Sequence, residues 1–297
     1  MMNDKGAARF DTALTLVPRP LRQELRRLTY DERCRTEELR LRTGRPVSAV
    51  LDEGERSMGG GMVTRDHIDS VLEMATRVSA HTAKESIRAG FITAPGGFRV
   101  GLCGRAVIAD GQIQGMRELT SVVIRIPREI IGLSDSVFEQ IPPPFRSTLI
   151  VSPPGLGKTT LLRDMVRRLS DDGTRVSLCD ERQEVAAGYC GRPQMDVGMY
   201  TDVLEGCPKR LGIPMLLRAM NPQIIAIDEI THPEDSTAII EAANCGTELL
   251  ATAHAWDESD LAKRPIYREL LEREIFKYVI IITKQDGKRL YEVKKLC

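Results

Sequence analysis

The chain has 297 residues, enough for one large or two ordinary domains, each with its own core. Its 42 Lys and Arg balance its 42 Asp and Glu, and only 4% of residues are aromatic, which excludes a global basic field or a broad base-stacking platform for nucleic acid. Seven scattered cysteines without a C-x-x-C pair fit reduced thiols better than disulfides or zinc, and no run approaches the ~20 apolar residues of a membrane span.

The opening stretch Met1 to Gly6 has no apolar signal region, so the expectation is a soluble chain that meets a membrane only through a partner. Residues 1–140 read as a smaller α+β domain. Phe10 to Leu28 carries apolar residues at helical spacing among arginines. Glu38 to Arg42 alternates as a half-buried strand, ends in the turn Thr43 to Pro46, and is followed by a second strand, Val47 to Leu51. Asp66 to Ala80 puts Ile68, Val71, Leu72 and Met74 on one helical face. Phe98 to Leu102 and Arg105 to Ile108 read as adjacent strands around Gly101 and Gly104. The stacked prolines of Ile141 to Pro144 form a stiff connector.

Residues 145–297 change texture. The strands expected are Leu149 to Val151, Arg175 to Cys179, Ile224 to Ile227 and Glu248 to Thr252. The helices between them are Thr159 to Leu169, Ile213 to Met220 and Pro233 to Ala243. Short apolar strands without alternation, separated by helices, predict a parallel sheet covered on both faces. Tyr278 to Thr283 and Arg289 to Val293, around Gln285 to Gly287, read as a terminal hairpin.

The first of those helices starts at a loop with its own chemistry. Ser152, Pro153, Pro154, Gly155, Leu156, Gly157, Lys158, Thr159 and Thr160 run from a β-branched strand into a helix N-terminus. Backbone N–H groups and the helix dipole there attract phosphate oxygens. Lys158 can reach the β- and γ-phosphates and the Thr159 hydroxyl can hold Mg²⁺. The pattern G-x-x-x-x-G-K-[ST] is met except at its first glycine, where Ser152 stands, so the opening turn must differ or be strained. Pro153 and Pro154 have no N–H, leaving donation to Gly155 through Thr160.

About 70 residues later, Ile224 to Ile227 delivers Asp228 and Glu229 to the carboxyl edge of a buried strand, where open α/β sheets bind ligands. Asp228 would bind Mg²⁺ and Glu229 would polarise the attacking water. Asp180, Glu181 and Arg182 end a third strand, either at the same edge or as a solvated exit. His254 ends a fourth, as a phosphate sensor or a structural histidine. Tyr200 and Trp256 read as packing rather than base contacts. Arg99 and Arg105 read as surface ion pairs or as arginines supplied to a neighbour's phosphate.

In order, Gly155 to Thr159, Asp180 to Arg182, Asp228 with Glu229, and Ala251 to His254 resemble the lysine loop, acidic box, second carboxylate motif and histidine box of the secretion ATPases, which serve type II and type IV systems and pilus motors. Glu37 to Pro46 resembles the opening strand of their N-terminal domain. Gly97 to Ala106, Ser152 to Gly155, Leu217 to Pro222 and Asp228 to Ile230 bring the likeness nearer to the stage III sporulation branch of endospore-forming bacteria. The resemblance implies a RecA-like P-loop NTPase domain with a mostly parallel sheet, preceded by the α+β domain. It implies an ATP- and Mg²⁺-dependent homo-oligomeric ring, a hexamer, at the cytoplasmic face of the mother-cell membrane. The ring would serve a channel to the forespore built from membrane proteins of the same operon. By position, Lys158 and Thr159 bind nucleotide and Mg²⁺, Glu229 is the catalytic base, His254 the phosphate sensor and Glu181 the acidic-box residue. Arg99 or Arg105 is the arginine given in trans. The secretion ATPases usually carry a longer C-terminal domain, so the likeness implies a compact version. Two other readings share the core: a nucleic-acid-stimulated ring translocase, and a scaffold in which nucleotide only sets conformation.

Overall fold

A computed structural model describes residues 5–76, 90–285 and 288–296. The chain divides into two compact units, Met1–Glu129 with Ala187–Gln194, and Ile130–Ala186 with Met195–Cys297. The division falls at Glu129/Ile130, ahead of the prolines. Ile141 is buried in the core of the second unit, so Ile141 to Pro144 is part of that unit and not its connector.

The first unit contains α1 (Lys5–Ala13), α2 (Arg19–Leu25), α3 (Tyr30–Arg35), β1 (Glu38–Arg42), β2 (Pro46–Leu51), β3 (Gly54–Met62), α4 (Arg65–Thr76), β4 (Phe91–Ala94), β5 (Phe98–Ala109) and β6 (Gln112–Arg125). The helical stretch from Phe10 breaks before Pro18 because proline lacks the N–H that an interior turn requires. The end of the helix expected to reach Ala80 lies outside the described residues. The six strands form an antiparallel sheet in the order β3-β2-β1-β6-β5-β4. Leu39 and Leu41, Val100 and Leu102, and Val122 and Ile124 point alternately into one core with Phe10, Leu21, Leu25 and Ile68. The two strands expected around Gly101 and Gly104 are one strand, β5. Gly104 sits at a register shift where an added Cβ would lie 2.8 Å from Arg117 O and Leu119 Cα, so it bends the strand without ending it. Arg99 and Arg105 therefore share a strand.

The second unit contains α5 (Asp135–Phe138), β7 (Thr148–Val151), α6 (Lys158–Asp171), β8 (Val176–Asp180), β9 (Thr201–Glu205), α7 (Lys209–Met220), β10 (Ile224–Ile227), α8 (Pro233–Asn244), β11 (Glu248–Ala253), α9 (Glu258–Lys263), α10 (Pro265–Glu272), β12 (Tyr278–Gln285) and β13 (Lys288–Lys295). Its sheet runs β13-β12-β7-β11-β10-β8-β9, with all neighbours parallel except the terminal hairpin β12-β13. Alternate strand residues feed two separate cores. Ile150, Leu178, Ala226, Leu250 and Ile280 face Leu161, Leu162, Met165 and Val166 of α6. Leu149, Val151, Ile225, Ile227, Leu249 and Ala251 face Ile213, Ile239 and Leu270 from the helices on the other side. A strand buried on both faces has no polar side, which is why its sequence shows no alternation. The sheet order puts β11 between β7 and β10, so the loop after β7 and the acids after β10 flank the end of β11.

Candidate functional site

β7 passes into α6 through Ser152 to Gly157. Ser152 is fully buried and its φ is not positive. The left-handed positions are Gly155 (φ 80) and Gly157 (φ 96), so the turn moves towards the helix and Ser152 carries no strain. Leu161 is the first N–H of the helix whose bond to the loop is made, to Gly157 O at 3.0 Å. The N–H groups of Lys158 to Thr160 are the orphan donors of the helix start. A Cβ added to Gly155 would meet nothing within 4 Å, so the cradle is open on that side. Open backbone donors at a helix N-terminus fit a phosphate chain.

The Lys158 side chain is buried beside this loop. Its ammonium donates to Ser152 O at 2.9 Å and Pro153 O at 3.2 Å, and lies 2.7 Å from His254 Nδ1. Burial pushes its pKa down to about 8, against the opposing pull of Glu229 and Asp228. Because an ammonium only donates, Nδ1 of His254 is the acceptor and its ring proton sits on Nε2. That Nε2 faces Glu229 Oε1 at 3.4 Å. The other oxygen, Glu229 Oε2, accepts from Arg182 Nη1 at 2.8 Å. A polar line thus runs Lys158, His254, Glu229, Arg182.

The two acids after β10 are held differently. Asp228 is 6% exposed and accepts one bond, from Thr252 Oγ1 at 3.1 Å. Burial, then the charges of Asp180 and Glu184, push its pKa up to about 6. Glu229 has φ 36, an uncommon conformation for a residue with a Cβ. Its N–H donates to the same Thr252 Oγ1 at 2.9 Å. Thr252, on β11, therefore positions both acids. Among the described residues no group of three His, Cys, Asp or Glu forms a metal cage. One carboxylate with a hydroxyl suits Mg²⁺, which keeps waters and phosphate oxygens as its other ligands.

The acidic box separates into three roles. Asp180 is fully buried and accepts from the N–H groups of Glu184 (3.0 Å), Val185 (3.0 Å) and Ala186 (2.8 Å), so it pins the loop that follows. Arg163 of α6 holds the same loop through Val185 O and Glu184 O. Glu181 turns to Lys209 Nζ. That ammonium is 2% exposed, and a buried ammonium requires a carboxylate. It is Arg182, not Glu181, that reaches Glu229. Trp256 and Tyr200, expected to pack, are 73% and 51% exposed.

Arg99 and Arg105 belong to the first unit. Arg99 lies over the Phe91 ring at 3.7 Å from its centroid and lines a concavity of about 270 Å³ with Arg40, Arg125 and Glu38. The register places Arg99 opposite Arg125 and Gly101 opposite Val123, so the missing side chain at Gly101 opens the hollow. Arg105 is far more exposed, with Glu118 at 3.9 Å. Thr252, Lys209 and the loop-holding Arg163 were not assigned roles from sequence. Thr252 sits inside the Ala251 to His254 motif, which was its only local signal.

The model of the family described as sporulation stage III, protein AA, matches residues 10–293. Stage III sporulation protein AA of Bacillus subtilis (strain 168) is 33% identical over 279 residues, covering 92% of this chain and 90% of that protein. In fold, the chain is similar to the ATPase DotB of Legionella pneumophila, with TM-score 0.58 and 17% identity over 87% of this chain and 76% of that one. It is also similar to the pilus retraction motor PilT, solved with bound ADP, with TM-score 0.58 and 16% identity over 88% and 79%. The expected RecA-like secretion-ATPase fold is thereby shown.

Proposed function

Because the chain belongs to the stage III sporulation protein AA family, we propose that it is an ATP-hydrolysing ring ATPase that energises a channel from mother cell to forespore during endospore formation. The observation that supports this most is the polar line from Lys158 through His254 and Glu229 to Arg182, beside an open glycine loop. A nucleotide-binding scaffold has no need of a carboxylate held at a strained φ between a histidine and an arginine.

In this reading the N–H groups from Gly155 to Thr160 hold the phosphate chain, and Lys158 turns from its carbonyl partners to the β- and γ-phosphates. Thr159 and Asp228 would hold Mg²⁺, which would supply charge neutralisation to the phosphate oxygens. Glu229 orients the attacking water and takes its proton. His254 loses its bond to Lys158 when the lysine turns, so its ring registers the γ-phosphate. The proposed assembly is a homo-oligomeric ring, a hexamer, peripheral to the mother-cell membrane and docked on channel proteins of the same operon. No helix among the described residues is long and apolar enough to cross a membrane. Arg99, grouped with Arg40 and Arg125, is the arginine proposed to serve a neighbour's site. Arg105 lacks such support.

The test is steady-state ATP turnover beside ADP affinity. Glu229→Gln is expected to lower turnover by about 10²- to 10⁴-fold with ADP affinity retained. Lys158→Ala is expected to lose both. Unchanged turnover in Glu229→Gln would sink the catalytic reading.

A further inference from the structure

The terminal hairpin places a second cation on the phosphate loop. β12 pairs in parallel with β7 and the last pair is Ile281 with Val151, where β7 ends. β12 runs on to Gln285, and in that extension Lys284 pairs with Arg289 of β13. Lys284 lies three residues past Ile281 at about 3.3 Å each, so the Lys284–Arg289 pair stands roughly 10 Å beyond the end of β7. That is the edge at which the loop Ser152 to Gly157 lies. Arg289 reaches the loop itself: a Cβ built on Gly157 would be 3.5 Å from Arg289 Nε, 3.6 Å from Cζ and 3.9 Å from Nη1. Arg289 is partly buried, and no carboxylate pairs with it among the described residues. A partly buried arginine with no counter-charge among those residues, beside open backbone donors, is matched to an anion with several oxygens.

We propose that Arg289 is a phosphate-binding residue of the same chain's nucleotide site, gripping the phosphate chain at the Gly157 end of the loop. The inference rests on the nucleotide reading above and extends it to an element outside the four motifs. Position 157 is restricted by its φ of 96, which strains any residue with a Cβ, while the Arg289 guanidinium lies in ordinary contact range of that position.

The experiment measures affinity of the full chain for ADP and for inorganic tripolyphosphate by calorimetry, with thermal melting in the absence of ligand. Arg289→Gln is expected to weaken both ligands by about 10- to 100-fold, the range for a lost charge-assisted hydrogen bond, with the ligand-free melting point unmoved. Arg289→Lys keeps the charge but not the fork and is expected to fall between. Lys284→Gln, on the same tip, is expected to bind as the parent does. ADP binding by Arg289→Gln within twofold of the parent, when Lys158→Ala has lost it, would overturn this inference and leave the nucleotide site standing. Weakened ADP with unchanged tripolyphosphate would also overturn it, since the contact would then be to ribose or base. A parent chain that binds neither ligand would overturn the nucleotide reading itself.

Discussion

At the scale of single residues, the site is set by two groups whose protonation is moved by burial. The Lys158 ammonium is charged below about pH 8, where it can meet phosphate, and neutral above it. ADP affinity of the nucleotide-free protein should therefore hold up to pH 8 and then fall, approaching about tenfold per pH unit. Calorimetric titration of the parent chain with ADP from pH 7 to 10 is the measurement, and a flat affinity across pH 8 would contradict this expectation. Asp228 works in the opposite direction. Its carboxyl is protonated below about pH 6, so in the proposed role of metal ligand it would act only as pH rises through that value. ATP turnover should therefore gain an acidic limb with an apparent pKa near 6, well above an ordinary aspartate. Mg²⁺ titrations at pH 5.5 and 7.5 should show weaker metal dependence at the lower pH.

At the scale of elements, the parallel strands matter because their ends bring distant residues to one edge. β11 lies between β7 and β10, so one hydroxyl at Thr252 can serve both Asp228 and the Glu229 N–H. Thr252→Val preserves shape and removes both bonds. It should lower stability by about 1–3 kcal/mol, because a buried carboxylate loses its side-chain hydrogen bond to Thr252. Turnover should fall much more than ADP affinity, since the lysine loop is untouched. Chemical denaturation and steady-state kinetics on one preparation would check both halves. Two of the elements not expected from sequence, β3 and β9, share a physical cause. β3 has Gly59, Gly60 and Gly61 and is exposed almost throughout, so no hydrophobic period marks it. β9 is a half-exposed edge strand of mixed polarity. Each is held by ladder bonds from a neighbour, a term absent from local sequence.

At the scale of the whole molecule, the proposed ring makes each site depend on a neighbour. Arg99→Ala and Glu229→Gln chains should each be nearly inactive alone. Mixed in equal amounts, they should recover up to about a quarter of parental turnover, because a random head-to-tail ring places an intact arginine beside an intact Glu229 at that share of sites. No recovery across a range of protein concentrations would rule out a trans role for Arg99. The same mixture with Arg105→Ala should show that this single variant retains activity.

Periodicity and spacing along the chain were enough for the parallel sheet and the glycine loop, and the family resemblance supplied the ordered set of four motifs. The first two depend on local signals: strands buried on both faces, glycines where φ is positive, and a lysine at a helix start. Only the folded chain separated the roles within the acidic box. The buried Lys209 ammonium takes Glu181 and the loop N–H groups take Asp180, a division set by burial. Tertiary structure also joined Arg99 and Arg105 into one strand and carried Arg289 from the end of the chain to the loop at Gly157. Pairing with β6 across a register shift decided the first, and the pairing of β12 with β7, far apart in sequence, the second.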